Sequence, residues 1–250
     1  MQQKNKINMN NVLGKYEEYD SSKIKCWDFC KGSDIRDGIE LKLGNMLISF
    51  PFVFNGNLFK CSEMLYLCGQ FSDNNEECIK IQKDIINSNN GFNAKKFIRN
   101  NHTDKVRKDF NRFRLEWMLF CVWQKTKNNK DFQKLLLSIP SDAIIIENST
   151  GQSSPTATVW GCKNYELNRI RKSVKEEISN INTHLKKKDL EELISIETNK
   201  IINVGIFKGE NNLGKILMIC REALMSNKEP EINYELLKNY DIYILGEKIF

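Results

Sequence analysis

The 250-residue chain has no run of about 20 apolar residues, the length a membrane-spanning helix needs, so no membrane partner is expected. It has only two histidines, His102 and His184, and its one close cysteine pair, Cys26 and Cys30, lacks a second cysteine pair or a histidine pair at ligand spacing, so no metal site is expected. A phosphate-binding lysine loop, a dinucleotide glycine fingerprint, HExxH and GxSxG are all missing. Their absence removes the commonest nucleotide, zinc-hydrolase and serine-hydrolase readings, and leaves no cofactor implied. The segment Met1 to Asn10 is polar, without the apolar stretch of a secretory leader, and reads as cytoplasmic.

What is present describes a folded protein. Hydrophobic residues make up 40% and aromatics 10% of the chain, more than a disordered segment carries. The net charge of +6 favours anionic partners and permits nucleic acid without implying it. Eight cysteines are scattered along the chain, mostly among Leu, Phe and Met, and read as reduced structural thiols.

Asn and Lys crowd the first 25 residues, so residues 1–38 are expected to be a mobile or loosely packed leader. From Ile39 to Phe54 a mixture of alternation with β-branched and aromatic residues predicts a small hairpin ending at the turn pair Asn55-Gly56. Ser62 is placed to cap a helix carrying Met64, Leu65, Leu67, Cys68 and Phe71. Further helical pieces are expected at 76–87, 93–100 and 132–137. A helix from Asp104 to Thr126 carries "RLEWMLFCVWQK", apolar on nearly every side, and should be the buried centre of the fold.

"AIIIE" at 143–147 reads as a short buried strand ending on a carboxylate. Residues 164–200 are charged, lack Pro and Gly, and repeat aliphatic residues at three- and four-residue steps, as a helical pair or an arm does. A glycine-bearing loop at 205–214 precedes an amphipathic helix at 213–225, and 234–250 reads as a terminal docking element. The fold class is therefore mainly α with a small β-sheet (α+β), with a main domain at 39–226 and an extension at 227–250.

Two carboxylates lie in apolar settings, Glu63 at a helix start and Glu147 at a strand end, with Trp160-Gly161 and Asn211-Asn212-Leu213-Gly214 in loops. Taken singly, each has an ordinary structural reading: a charge on a helix dipole, a strand end, a packed indole, a close turn.

Four segments in order change that weighing: "GNMLISFPFVFNGNLFKCSEMLYLCGQF", "RFRLEWMLFCVWQKTKNNKDFQKLLL", "AIIIENS" followed by "VWGC", and "GENNLGKILMICREAL". Together they resemble the NADAR or YbiA-like N-glycosidases over roughly Gly44 to Met225. The matching positions are Ser62-Glu63, Met118 with Lys125, Glu147 with Trp160-Gly161, and Gly209, Asn211, Leu213, Gly214, Leu217, Met218 and Arg221.

The resemblance implies a compact, mainly helical fold with a minor sheet. It also implies cleavage of an N-glycosidic bond, either to ADP-ribose on a nucleobase such as guanine in DNA or in a phosphoribosylated intermediate of the riboflavin pathway. Both reactions build positive charge at an anomeric carbon, which a carboxylate stabilises or relieves by activating water. Glu63 is the expected catalytic group, and Glu147 the second carboxylate, either holding the ribose hydroxyls or serving as the partner acid/base. Trp160 and Phe110 are expected to sandwich the base, and the 209–214 loop to meet a pyrophosphate with Lys60, Lys125 and Arg221 in support.

One departure stands out. Family members commonly carry an Asp just before Trp-Gly, whereas "NSTGQSSPTATVWG" contains no acid, so a sensor that binds ADP-ribose or NAD-derived nucleotides without cutting them is the rival reading. The 164–200 insert resembles the subgroup linked to ADP-ribosylated substrates. Its Lys186-Lys187-Lys188 run, with Arg169, Arg171 and Lys172, either contacts DNA phosphates or forms a solvated face.

Overall fold

The computed structural model describes residues 13–30, 32 and 34–250. In chain order the strands and helices are β1 (Glu17–Asp20), β2 (Cys26–Phe29), β3 (Ile35–Arg36), β4 (Ile39–Glu40), β5 (Phe52–Phe54), β6 (Asn57–Phe59), α1 (Ser62–Cys68), α2 (Glu76–Asn87), α3 (Gly91–Asn101), α4 (Phe110–Asn128) and α5 (Lys130–Ser138). There follow β7 (Ile144–Glu147), α6 (Ala157–Trp160), α7 (Tyr165–Ile181), α8 (Lys187–Asn199), β8 (Ile206–Gly209), α9 (Asn212–Ser226), α10 (Tyr234–Lys238), β9 (Tyr243–Ile244) and β10 (Glu247–Lys248). The class is α+β with helices dominant, as expected. The described residues divide into two units, one running up to Gly44 together with Ser138–Met218, the other of Asn45–Leu137 with Ile219–Phe250.

In the first unit β2 pairs in parallel with β7, and β1 pairs antiparallel with β8. Single bridges from Asn148 to Cys162 and from Lys163 to Lys208 join the two pairs into one small mixed sheet. Its inner side buries Tyr19, Cys26, Ile146, Cys162 and Phe207, with Leu167 of α7 packed on them. Helix α7 is tied to the sheet by charge as well. Asp28 of β2, 6% exposed, receives Arg36 at 2.9 Å, Arg171 at 2.8 Å and the Asn148 amide at 3.1 Å.

The described part of the leader is thus no loose tail. Trp27 and Phe29 are 1% and 2% exposed, and β1 and β2 belong to the core sheet. Such four-residue strands carry too little alternation to be seen locally, because both their partners lie more than 100 residues further on. Residues 1–12 lie outside the described residues.

The second unit is built on α4, where every residue from Trp117 to Thr126 is buried. A segment apolar on all sides requires neighbours on all sides. Helices α1 and α10 and strand β5 pack on α4, and α2 and α3 pack on α1. The Trp117 indole donates to the Tyr66 carbonyl at 3.1 Å. The chain end belongs to this core: the Phe250 ring lies 5.1 Å from that of Phe120, and the Gln82 side chain accepts the Leu245 N–H at 2.6 Å.

Three local expectations shift. The Asn55-Gly56 turn forms, with φ of +45° and +72°, but it joins β5 to β6, whereas β4 pairs back onto β3. The central helix begins at Phe110 rather than Asp104, after a single tight turn at Thr103–Lys105. Residues 206–209 form strand β8, because β1 supplies a partner that the local sequence does not reveal. The many asparagines have a structural use: Asn75, Asn90, Asn164 and Asn233 each cap a helix by accepting a backbone N–H. Among the described residues no helix is long and apolar enough to cross a membrane.

Candidate active site

The second unit holds Glu63. The hairpin β5–β6 delivers the chain to Cys61, which is the N-cap of α1 and makes no side-chain cap bond. Ser62, expected as the cap, is instead the first helical residue, and its hydroxyl donates to the Asn45 side-chain oxygen at 3.0 Å. Asn45 also accepts the Glu63 backbone N–H at 3.2 Å through its carbonyl, while its amide lies 3.0 Å from the Met118 sulfur. One asparagine from the preceding loop therefore satisfies the helix start and holds the backbone of Glu63.

Glu63 is 5% exposed. Its one ion-pair partner among the described residues is Lys95 of α3, with Nζ 3.9 Å from the carboxylate. Burial raises the Glu63 pKa above the usual carboxylate range, and Lys95 opposes the shift. The charge acts on its surroundings: burial, then Glu63, raises the Tyr66 phenol. This is a carboxyl group in a poorly solvated place, able to hold a proton at higher pH than an ordinary glutamate.

The expected basic partners in this unit have other engagements. Lys60 donates to the Ser88 carbonyl at 2.8 Å, closing the end of α2. Lys125 is 2% exposed with Nζ 3.9 Å from the centre of the Phe132 ring, and burial lowers its pKa to about 8. Arg221 is buried along α9, 5% exposed. Phe110, expected to stack on a base, is 5% exposed and sits edge-on to Tyr66 and Phe113, each ring centre 5.3 Å away. Its ring therefore serves the core at the start of α4.

The first unit holds the remaining motif residues. Glu147, half-buried, ends β7, and its carbonyl accepts the Cys162 N–H at 2.8 Å. Gly161 lies so close that an added Cβ would stand 2.3 Å from that carbonyl oxygen. Trp160 is half-buried at the end of the short helix α6.

Asn211 is fully buried in the left-handed region at φ +51°. Its side-chain oxygen accepts the Glu147 N–H at 3.1 Å and its amide donates to the Ile145 carbonyl at 2.8 Å, so it continues the hydrogen bonding of a strand edge. Gly214 permits this: a Cβ there would fall 2.2 Å from the Ile145 oxygen. The loop N–H groups at Glu210 and Asn211 are taken by the carbonyls of Thr158 and Gly161, at 2.7 and 3.3 Å. Asn211 and Gly214 therefore fasten α9 to β7, and the expected use of this loop to meet a pyrophosphate finds those two donors already occupied.

Sequence reading missed Asn45 and Lys95. Asn45 stands inside the first motif segment as "GN", a weak signal that was available, whereas Lys95 comes from α3 and has no mark in the sequence. No group of three or more metal-binding side chains is present among the described residues.

Residues 39–225 match the family model described as NADAR domain. No curated protein matches. Among solved structures, the NMR structure of the E. coli protein YbiA is similar at 18% identity, covering 81% of this chain and 86% of that one, with a TM-score of 0.49. The family match takes in Glu63, Glu147, Trp160-Gly161 and the Asn211 to Arg221 segment, and on that match the chain belongs to the NADAR domain family.

Proposed function

We propose that this protein is an N-glycosidase that removes ADP-ribose from a modified guanine base in DNA, with Glu63 as its catalytic carboxylate. Membership of the NADAR family supports a glycosidase-like role. The observation that carries the residue assignment is the burial of Glu63, its raised pKa and its fixing by Asn45.

The chemistry follows from the bond. As the C–N bond breaks, its electron pair leaves with the base, and positive charge builds on the anomeric carbon. The Glu63 carboxylate accepts a proton from water, whose oxygen then bonds to that carbon. The departing nitrogen takes up a proton, leaving the unmodified base in the DNA and a hydroxyl on the anomeric carbon of the released ADP-ribose. A carboxylate raised by burial is a stronger base than one in water, and in a site of low polarity it stabilises adjacent positive charge more strongly.

The test is mass spectrometry of a guanine-ADP-ribosylated oligonucleotide incubated with wild type, Glu63→Gln and Glu147→Gln. Loss of the ADP-ribose mass with wild type and retention with Glu63→Gln is the expected result. Retention with wild type, together with release of free base from a phosphoribosylated pyrimidine, would replace this substrate with the small one. Retention in both assays with tight ADP-ribose binding would make the protein a sensor.

A further inference from the structure

The outer side of the first unit's sheet carries an unusual pair. Lys163 and Lys208 exchange both backbone hydrogen bonds, each 2.9 Å, in an antiparallel bridge. Residues directly opposite in such a bridge project to the same face, where like charges are destabilising. Glu18, opposite Lys208 on its other side, meets one ammonium at 2.8 Å. Lys163 has no carboxylate partner among the described residues.

Two tyrosines flank this pair. Tyr16 is 57% and Tyr165 68% exposed, and Lys163 Nζ stands 5.9 Å from the centre of the Tyr165 ring. Both rings line a cleft of about 390 Å³ whose floor includes Ile206, Lys163 and Lys208. The alternate residues of the ladder, Tyr19 and Phe207, are buried, so the strand register itself turns the lysines outward.

The basic row continues past the cleft. Tyr165, Arg169 and Lys172 follow at four- and three-residue steps on α7, so they share a face, and all three are exposed. At 1.5 Å per residue this face is about 10 Å long, more than one phosphate group occupies. Glu166 also lines the cleft, and Lys172 meets Glu176 at 3.7 Å, so the surface is no enclosed cage for a small dianion. Separated cations alternating with exposed rings suit a strand of stacked bases and spaced phosphates.

We propose that this face binds single-stranded nucleic acid, with Tyr16 and Tyr165 as stacking platforms and Lys163 and Arg169 meeting phosphates. Its biological sense rests on the reading above, in which a nucleic acid strand carries the substrate base, and a base is reached most readily when unpaired.

The experiment is fluorescence anisotropy of a labelled, unmodified single-stranded oligodeoxynucleotide with the full chain over a series of salt concentrations. Wild type is expected to bind, with log affinity falling linearly against log salt. The double variant Lys163→Glu with Arg169→Glu is expected to lose about tenfold or more in affinity and to show a shallower slope. Tyr165→Ala is expected to lose about tenfold with the slope unchanged. Circular dichroism checks that these surface variants fold.

Failure of wild type to bind, or variants that bind as wild type does, would overturn the proposal. Complete displacement of the oligonucleotide by free ADP-ribose, with ADP-ribose binding itself weakened by the Lys163→Glu and Arg169→Glu double variant, would also overturn it, making the cleft a small-nucleotide pocket. Because no cleavage is read, loss of binding with hydrolysis intact removes this surface alone, and binding without hydrolysis removes the proposed reaction alone.

Discussion

Asn211 accepts the backbone N–H of Glu147 through its side-chain oxygen at 3.1 Å, and so fixes the end of the strand that carries this carboxylate to the start of α9. The same carboxamide donates to the Ile145 carbonyl, leaving its strand-facing groups satisfied in a place that water does not reach. Replacing it exposes the arrangement's energy.

Asn211→Ala strands one buried donor and one buried acceptor on β7. Each unsatisfied group costs about 1–3 kcal/mol, so a loss of about 2–6 kcal/mol is expected. Urea denaturation should show a lower midpoint at unchanged slope. A midpoint equal to that of wild type would mean that the strand end does not depend on this residue.

Glu63→Gln should stabilise the protein while abolishing the proposed activity. The folded-state pKa of Glu63 is raised by burial, so the native state disfavours the ionised form. That cost is absent below the unfolded pKa of about 4.3 and grows as pH rises through the folded value. The melting temperature of Glu63→Gln should therefore exceed that of wild type at neutral pH, with the difference vanishing in acid. A constant difference across pH would show that ionisation of Glu63 is not its source.

Lys125→Met tests a second buried charge. Burial lowers the Lys125 pKa to about 8, against the partial opposition of the Cys61 and Cys220 thiols. Below that pH both folded and unfolded states hold the proton, and the folded state bears the full cost of the buried ammonium. Between about pH 8 and the unfolded value near 10.4 the cost is relieved. Lys125→Met should raise the melting temperature at pH 7, and the gain should shrink through the alkaline range. An alkaline titration of the two melting curves checks this.

Asp28→Asn should be strongly destabilising. Burial pushes the Asp28 pKa up, but the ion pair and hydrogen bond with Arg171, the Asn148 bond and Arg36 outweigh it and hold the carboxyl below its usual range. Removing the negative charge leaves two guanidinium groups without it, at a cost of about 3–5 kcal/mol. A depressed carboxylate contributes stability above its unfolded pKa and loses it as pH falls through the folded value, so wild type and variant should converge in acid. Equal denaturation midpoints at pH 7 would contradict the role assigned to this cluster.

The insert, the central helix and the Asn55-Gly56 turn were legible because each is written in neighbouring residues. The run from Trp117 to Thr126 is buried on every side, as its apolar composition requires. Glu63 and Glu147 were legible as carboxylates beside apolar segments. The partners of those residues were not. Ser62 has the side chain of a cap, yet Asn45, 17 positions earlier, takes its hydroxyl. Phe110 has the ring of a stacking platform, yet Tyr66 and Phe113 enclose it.

By itself the sequence determined where helices run, which faces are apolar, and which family the motifs resemble, since periodicity and turn chemistry act over a few residues. Only the tertiary structure decided that β1 and β2 belong to the core, that Lys125 is a buried amine, and that Asn211 is a strand-edge mimic. Burial and hydrogen-bond partnership depend on groups brought from distant parts of the chain, and the free energy of a charge or an amide is set by those groups rather than by its neighbours in sequence.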